Sequence, residues 1–536
     1  MQNASDADRV DLKTLNQMDD AAIELRDFDG GNNVQMAFAK THGASDHTLF
    51  ARLKSLFQPT TSTEELRPTA WLDCLRGIAA ILVVFHHWNG HFVEVNAAYM
   101  AIPNFDFVSP TGEATRPPYS GFFRLPGFKL LVGSGPTMVC IFFMASGWVL
   151  TQSSLRHIQS QGLLLESDAE SNKSKEDVQR ATDAHQAKVL VNLSSATFRR
   201  GIRLYLPVAL HGFIGMILVL LRLRNHDAYF PQPNDGNVLW HLLEWARSTT
   251  SLLNPFAYRV DMTDLGHRYE WVLWTLPLEF YGSLVCFVVT LSLARTTNAI
   301  KRRSFIAFIS IWALLVKSWW ASNFLAGMLL ADFTLMHYPP FASSKPQRSS
   351  RRMSLLGKLV FALALYLSSA PIRVQDWYTN PGYEWLHHIL SEERVPRYTQ
   401  SAGAFLMLVC FAYSPKWQAR LTRLPAVRWA GRCSFSLYLC HIELYDCLGT
   451  FVKTFLVGKF EAPDRPVGAG FDISLREPDP DDFLPGWLRL SLGWLCFMLI
   501  LWPCLIVVAT LHAKYVDANV VRFARWVERR FIRHSL

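Results

Sequence analysis

Apolar residues along the chain gather into runs of about twenty, separated by polar, proline-containing stretches. Runs such as FIAFISIWALL and LSLGWLCFMLILWPCLIVVATL carry no charge at all. The second is long enough by itself to cross a hydrocarbon core of about 30 Å. Read with a window of that length, the pattern predicts helical spans at about 70–92, 135–154, 203–222, 271–293 and 303–316. Five more are predicted at about 318–336, 355–370, 402–414, 433–456 and 486–512. Phe305 to Leu335 reads as two spans hinged near Lys317. The expected fold is therefore all-α: a polytopic membrane helix bundle with about ten transmembrane helices.

Polar stretches complete the expected organisation. Residues 1–69 read as a largely disordered cytoplasmic extension. Within it Leu49, Phe50, Leu53, Leu56 and Phe57 share one face of an interfacial helix that ends before Pro59. Residues 165–186, which include SNKSKEDVQRATDAHQ, are the least hydrophobic internal stretch and read as a disordered cytoplasmic insertion. The bundle proper would occupy 70–512, with 513–536 as a basic cytoplasmic tail. Sizeable outer segments are expected at 93–134, 224–270 and 371–401.

Composition agrees with a membrane protein: 50% of residues are hydrophobic and only 18% are charged, where a soluble chain carries about a quarter. No cleavable signal is read in the polar, acidic MQNASDADRVDLKTLNQMDD, so the first span is expected to direct insertion. Charge orients the bundle, because short cytoplasmic loops collect Lys and Arg. The loop 294–303 holds Arg295, Lys301, Arg302 and Arg303, and the loop 415–432 holds five basic residues; neither has an acid. The acidic loop 457–485 falls on the opposite side, which puts both termini in the cytoplasm. Sequons at Asn172 and Asn192 then lie inside. Basic loops facing anionic lipid account for the net charge of +9, and no nucleic acid is expected. An endomembrane or the plasma membrane is the expected location. The nine cysteines lie mostly in apolar runs and read as small buried side chains; Cys433, Cys440 and Cys447 recur every seven residues without ligand spacing, so no metal site is expected.

Chemistry concentrates in WLDCLRGIAAILVVFHHWNG, residues 71–90. Arg76 and His87 are eleven residues apart, about three helical turns plus 20°, and so share one face with a rise of about 16 Å between them. Asp73 lies one turn below Arg76, while His86 points about 100° away from His87. Charge facing lipid is costly, so this stripe is expected to face the bundle interior or a wet cavity. An imidazole with an ordinary pKa of about 6.5 is largely neutral and can take a hydroxyl proton. The alternative for His87 is a hydrogen bond between helices, the role His86 suits better.

LDCLRGIAAILVVFHHW resembles the first-helix signature of the membrane acyltransferase-3 family, and further motifs follow in order: FFMASGWVLT at 142–151, RRGIRLYLP at 199–207, WTLPLEFYG at 274–282, FLAGMLLA at 324–331 and SFSLYLCH at 434–441. The resemblance implies a ten-helix domain that transfers an acyl group from acyl-CoA to a hydroxyl of a sugar, lipid, peptide or small natural product. It implies His87 as catalytic base and Arg76 as its motif partner. No permanently bound cofactor is implied; acyl-CoA, with acetyl-CoA favoured, is a co-substrate.

Arg200 and Arg203 lie three residues apart on one helical face and suit a phosphate, with Arg199 a weaker third member; the alternative is ordinary positive-inside flanking. The resemblance favours a CoA site there. Glu279, inside a span, suits an imidazole, an acceptor hydroxyl or an arginine as partner. Ser436, Tyr438 and His441 either line the same cavity or satisfy one another. Ser146 and Gly147 read as close helix packing, and Trp88, Trp148 and Trp274 as core or interface anchors. The same buried Arg, Glu and His also suit a proton-coupled transporter, although no inverted repeat is visible.

Overall fold

A computed structural model describes residues 68–91, 107–108, 114–115, 125–133, 135–170, 175–224, 231–254, 267–335, 355–370, 382–383, 385, 397–457 and 486–531. These are almost wholly helical, apart from a short antiparallel ladder between Phe107–Val108 and Ala114–Thr115. The predicted interfacial helix at 49–57 lies outside the described residues.

Helix α1 spans Ala70–His91, α2 Gly135–Glu170, α3 Lys175–Leu220 and α4 Val238–Leu253. A 3₁₀ turn at Trp271–Trp274 leads into α5, Thr275–Ser292. Then follow α6 Ala299–Leu315, α7 Trp319–Thr334, α8 Leu355–Ser368 and α9 Tyr398–Ala412. Two short amphipathic helices, α10 (Pro415–Arg423) and α11 (Pro425–Arg432), replace the expected basic loop. Helix α12, Ser434–Leu444, continues through a π-turn at Tyr445–Gly449 into α13, Thr450–Val457. Helix α14, Gly486–His512, continues through a second π-turn at Ala513–Asp517 into α15, Ala518–Phe531.

The all-α membrane architecture stands, and among the described residues five helices are long and apolar enough to cross a membrane. Of the other expected spans, α8 and α9 are shorter apolar helices, and α6 and α7 have 17 and 16 residues. The expected break at Lys317 is real. Lys317 takes a left-handed φ of 65° between α6 and α7, while Ser318 N–H donates to Ala313 O at 2.8 Å and Lys317 N–H to Leu314 O at 3.0 Å. That is a helix C-cap of the Schellman type, with lysine where glycine is usual.

One expectation fails in the polar segments. Residues 165–170 and 175–186 are helical, so α2 and α3 extend well beyond their apolar runs. Composition hid this because Glu, Lys, Gln and Ala are polar or small yet good helix formers. Glu176 and Asp177 favour the N-terminal turn of α3, Glu176 pairs with Arg180 at 3.7 Å, and Gln179 bonds Asp183 at 2.8 Å. Within the basic tail α15 is a docked helix that buries Val520, Val521 and Ala524 and packs on α3.

Helix α2 is the hub, touching α1, α3, α5, α7 and α9. Its closest neighbour is α7, because Gly147 lies against Phe324 O and Gly327 against Met144 O, so a Cβ on either would collide with backbone. Small residues let helix backbones approach in this way. Gly327→Leu is therefore expected to abolish the monodisperse peak in detergent size-exclusion chromatography. Gly201→Ala should preserve it, since a Cβ there meets only Phe280 at 3.8 Å.

Candidate active site

The ionisable stripe of α1 faces protein. His87 is half-buried, and its Nδ1 lies 2.7 Å from Nε2 of His441 on α12. The two ring planes lie within 9° of each other, with centroids 5.0 Å apart, as for rings joined edge to edge by this contact. His441 Nδ1 is in turn 2.7 Å from the carbonyl oxygen of Tyr438 one turn earlier. A carbonyl only accepts, so His441 Nδ1 carries the proton. In the neutral pair His441 Nε2 is then the acceptor, His87 Nδ1 the donor, and the lone pair of His87 resides on Nε2. The Trp88 indole fastens this arrangement by donating to His441 O at 3.0 Å. Trp271, from the 3₁₀ turn before α5, sets its ring edge-on to His87 at 5.1 Å. The His86 ring lies 5.2 Å from that of His87 and occupies space that any side chain at Gly135 would need.

Arg76 belongs to a second group at the other end of the stripe. It pairs loosely with Asp73 at 4.0 Å, and its guanidinium stands 6.0 Å from the Phe142 ring centre. Within electrostatic reach lies Arg200, whose neighbours also include Arg203. Glu279 Oε1 accepts from Arg200 Nη2 at 2.6 Å and from Ser146 Oγ at 2.6 Å. Arg200 Nε donates to Ser283 Oγ at 2.8 Å. Of the roles open to Glu279, the structure thus realises the arginine partner. Arg76, Arg200 and Arg203 set three positive charges against the carboxylates of Asp73 and Glu279, so the group is net cationic. Arg199 turns away: it meets Glu528 of α15 at 3.1 Å, and Glu528 also accepts from Ser195.

The motif on α12 diverges instead of lining one cavity. Only His441 reaches His87. Ser436 Oγ lies 2.9 Å from His512 Nδ1 of α14, and the Tyr438 hydroxyl lies 2.6 Å from Thr275 Oγ1 while also bonding Val272 O. Ser146 bonds Glu279, while its neighbour Gly147 serves the α2–α7 contact.

A third polar cluster escaped the sequence reading. Arg224, its side chain fully buried, pairs with Glu270 at 3.3 Å and Asp446 at 2.6 Å and donates to Tyr269 O. Beside it His211 Nε2 stands 3.4 Å from Glu443 Oε2. Arg224 and Glu270 flank an expected outer loop, where nothing in a single sequence pairs them. His211, Cys440 and His512, and also His211, Glu270 and Glu443, bring their ligand-type atoms within 4.8 Å of one another. Cys440 thus has histidine neighbours that linear spacing did not reveal, whereas Glu270 already has a cation in Arg224.

Comparison with known proteins adds an independent line. The chain is 25% identical to the O-acetyltransferase PaAT-1 of Phomopsis amygdali, over 89% of this chain and 88% of that protein. It is 25% identical to acyltransferase R4 of Phoma sp. (strain ATCC 20986 / MF5453), over 76% and 89%. With acyltransferase clz18 of Cochliobolus lunatus it shares 25% identity over 71% and 83%. No solved structure matches. The acyltransferase domain family matches residues 69–513, a stretch containing both the His87–His441 pair and the Arg200–Glu279 group, and the chain is a member of that acyltransferase-3 family.

Proposed function

We propose that the protein is an integral membrane O-acyltransferase that moves an acyl group, acetyl in the first instance, from acyl-CoA to a hydroxyl of a small natural product, sugar or lipid. The observation that carries this reading is the tautomer chain from Tyr438 O through His441 to His87, which leaves a basic Nε2 on a half-buried imidazole. A weak alcohol nucleophile needs such a base.

In the reaction, His87 Nε2 takes the acceptor hydroxyl proton as the oxygen attacks the thioester carbonyl. The new C–O bond forms, the C–S bond breaks, and the proton on His87 passes to the departing CoA sulfur, so the base is regenerated. The imidazolium formed meanwhile keeps its Nδ1–H bond to His441 Nε2. His441 is a positioning residue. The cationic group of Arg76, Arg200 and Arg203 suits the phosphates of CoA, while Arg199 pairs with Glu528. Family membership favours this reading over a transporter. The α15 helix meets α3 beside that group, which supports placing both ends of the membrane domain on the side from which the donor enters, the cytoplasm.

The test is acetyl-CoA binding and thiol release by purified protein in detergent with pooled hydroxylated acceptors. Arg203→Gln is expected to weaken acetyl-CoA binding about tenfold or more, the worth of a charge-assisted hydrogen bond, while His87→Gln binds it normally. Folded wild-type protein that binds no acyl-CoA would refute the donor assignment.

A further inference from the structure

Within electrostatic reach of His86 lies another buried cation, whose surroundings the acyl-transfer chemistry does not explain. Arg397, the residue before α9, is 8% exposed, and among the described residues its charge has no carboxylate partner. It is sandwiched between indoles, its guanidinium 4.1 Å from the Trp319 ring centre and 5.3 Å from that of Trp274. Its Nη1 is buried and has no hydrogen-bond partner among the described residues. Its backbone is left-handed, with φ 47°, a conformation that costs a non-glycine residue of order 1 kcal/mol or more and persists only where the surroundings enforce it.

Asn323 of α7 is 1% exposed, and among the described residues neither its Nδ2 nor its Oδ1 has an oxygen or nitrogen partner. Both residues are neighbours of the Cys140 thiol, which also lies 3.7 Å from Ser401 Oγ. Lys129, 6% exposed, adds a positive charge that, with that of Arg397, is felt at His86. The link to the reacting imidazole is short: Trp271 against His87 and Trp274 against Arg397 belong to one 3₁₀ turn, where residues three apart stack on the same side.

We propose that Arg397 and Asn323 form a receptor for a carboxylate carried by the acyl acceptor. A guanidinium edge matches the two oxygens of a carboxylate, the Asn323 amide N–H supplies a further donor, and Asn323 Oδ1 is left to accept from a neighbouring hydroxyl. Indole stacking attracts the cation but gives its N–H groups no acceptor, so among the described residues nothing compensates the buried charge, and an anion would. The Arg76 group stands about 16 Å from His87 along α1, whereas Arg397 is joined to His87 through the Trp271–Trp274 turn. The assignment rests on the acyltransferase reading for calling the ligand an acceptor, whereas the anion binding itself does not.

The experiment measures thermal protection of the full chain in detergent by benzoate and hexanoate against their isosteric neutral amides, benzamide and hexanamide, with adenosine 3′,5′-bisphosphate as the donor-phosphate probe. The carboxylates are expected to protect wild type and the amides not, with apparent affinity about tenfold or more weaker in Arg397→Gln and partly retained in Arg397→Lys. Bisphosphate protection should be unchanged in both variants. Equal protection by acid and amide overturns the proposal. So does loss of bisphosphate protection alone in Arg397→Gln, which would assign the anion to the donor. Should Arg397→Gln not fold, the comparison of acid with amide on wild type still decides. No turnover enters these readings, so a protein that binds carboxylates yet transfers no acyl group would refute the catalytic reading and leave the anion receptor standing.

Discussion

Purified His87→Gln protein is expected to transfer acyl groups about 10²- to 10⁴-fold more slowly than wild type, the range that general-base catalysis supplies, with acetyl-CoA binding intact. Glutamine is close in size to histidine and polar, so the α1 stripe should survive the change, but its amide cannot take up the acceptor proton. His441 gives the companion measurement. His441→Leu removes the acceptor from His87 Nδ1, now 2.7 Å away, and with it the force that places the lone pair on Nε2. A loss in kcat with little change in KM is expected, as for a group that acts through another. His441→Gln retains a carbonyl oxygen able to accept from Nδ1 and should recover part of the rate, which a purely steric role for His441 would not produce. Near wild-type turnover by folded His87→Gln would remove His87 from the chemistry.

Much of this site was legible because it lies on single helices. Helical periodicity alone puts Asp73, Arg76 and His87 on one face of α1, and an apolar run with ionisable residues in it must turn that face inward. Periodicity carries no information on how one helix is rotated against another. For that reason Ser436, Tyr438 and His441 looked like one cavity lining, whereas α12 delivers them to α14, to α5 and to α1 respectively. The same limitation applied to Arg199 and Arg200. Adjacent in sequence, they lie about 100° apart around a helix, so one reaches Glu279 and the other reaches a tail helix more than three hundred positions later. Arg397 is hidden for a different reason. It precedes its helix instead of lying within an apolar run, so no intramembrane charge is apparent until α9 is seen packed on α2 and α7.

Arg302 is the sharpest case, and it yields the largest expected change in stability. The basic loop 294–303 was read as flanking charge facing lipid headgroups, yet the Arg302 side chain is fully buried, as is that of Asp332. The guanidinium is saturated: Nε and Nη2 meet the Asp332 carboxylate, Nη1 reaches Thr296 O at 3.0 Å and Thr297 O at 3.1 Å, and Nη2 reaches Gln159 Oε1 at 2.8 Å. Arg303 adds a contact to Asp332 Oδ1 at 2.8 Å and stacks on Phe333 at 4.6 Å. The Arg302 guanidinium therefore ties together α2, α6 and α7. Asp332→Leu is expected to cost about 3–5 kcal/mol, seen as a large drop in thermal midpoint in detergent, because it leaves a buried cation that cannot shed its proton. The attraction of the pair is not the source of that number. Replacing both members with apolar residues of similar size, Arg302→Met with Asp332→Leu, also removes the desolvation penalty and is expected to recover most of the loss. A double variant no better than Asp332→Leu would mean instead that the carbonyl and Gln159 bonds of Arg302 hold the three helices together, with Asp332 only neutralising the charge they position.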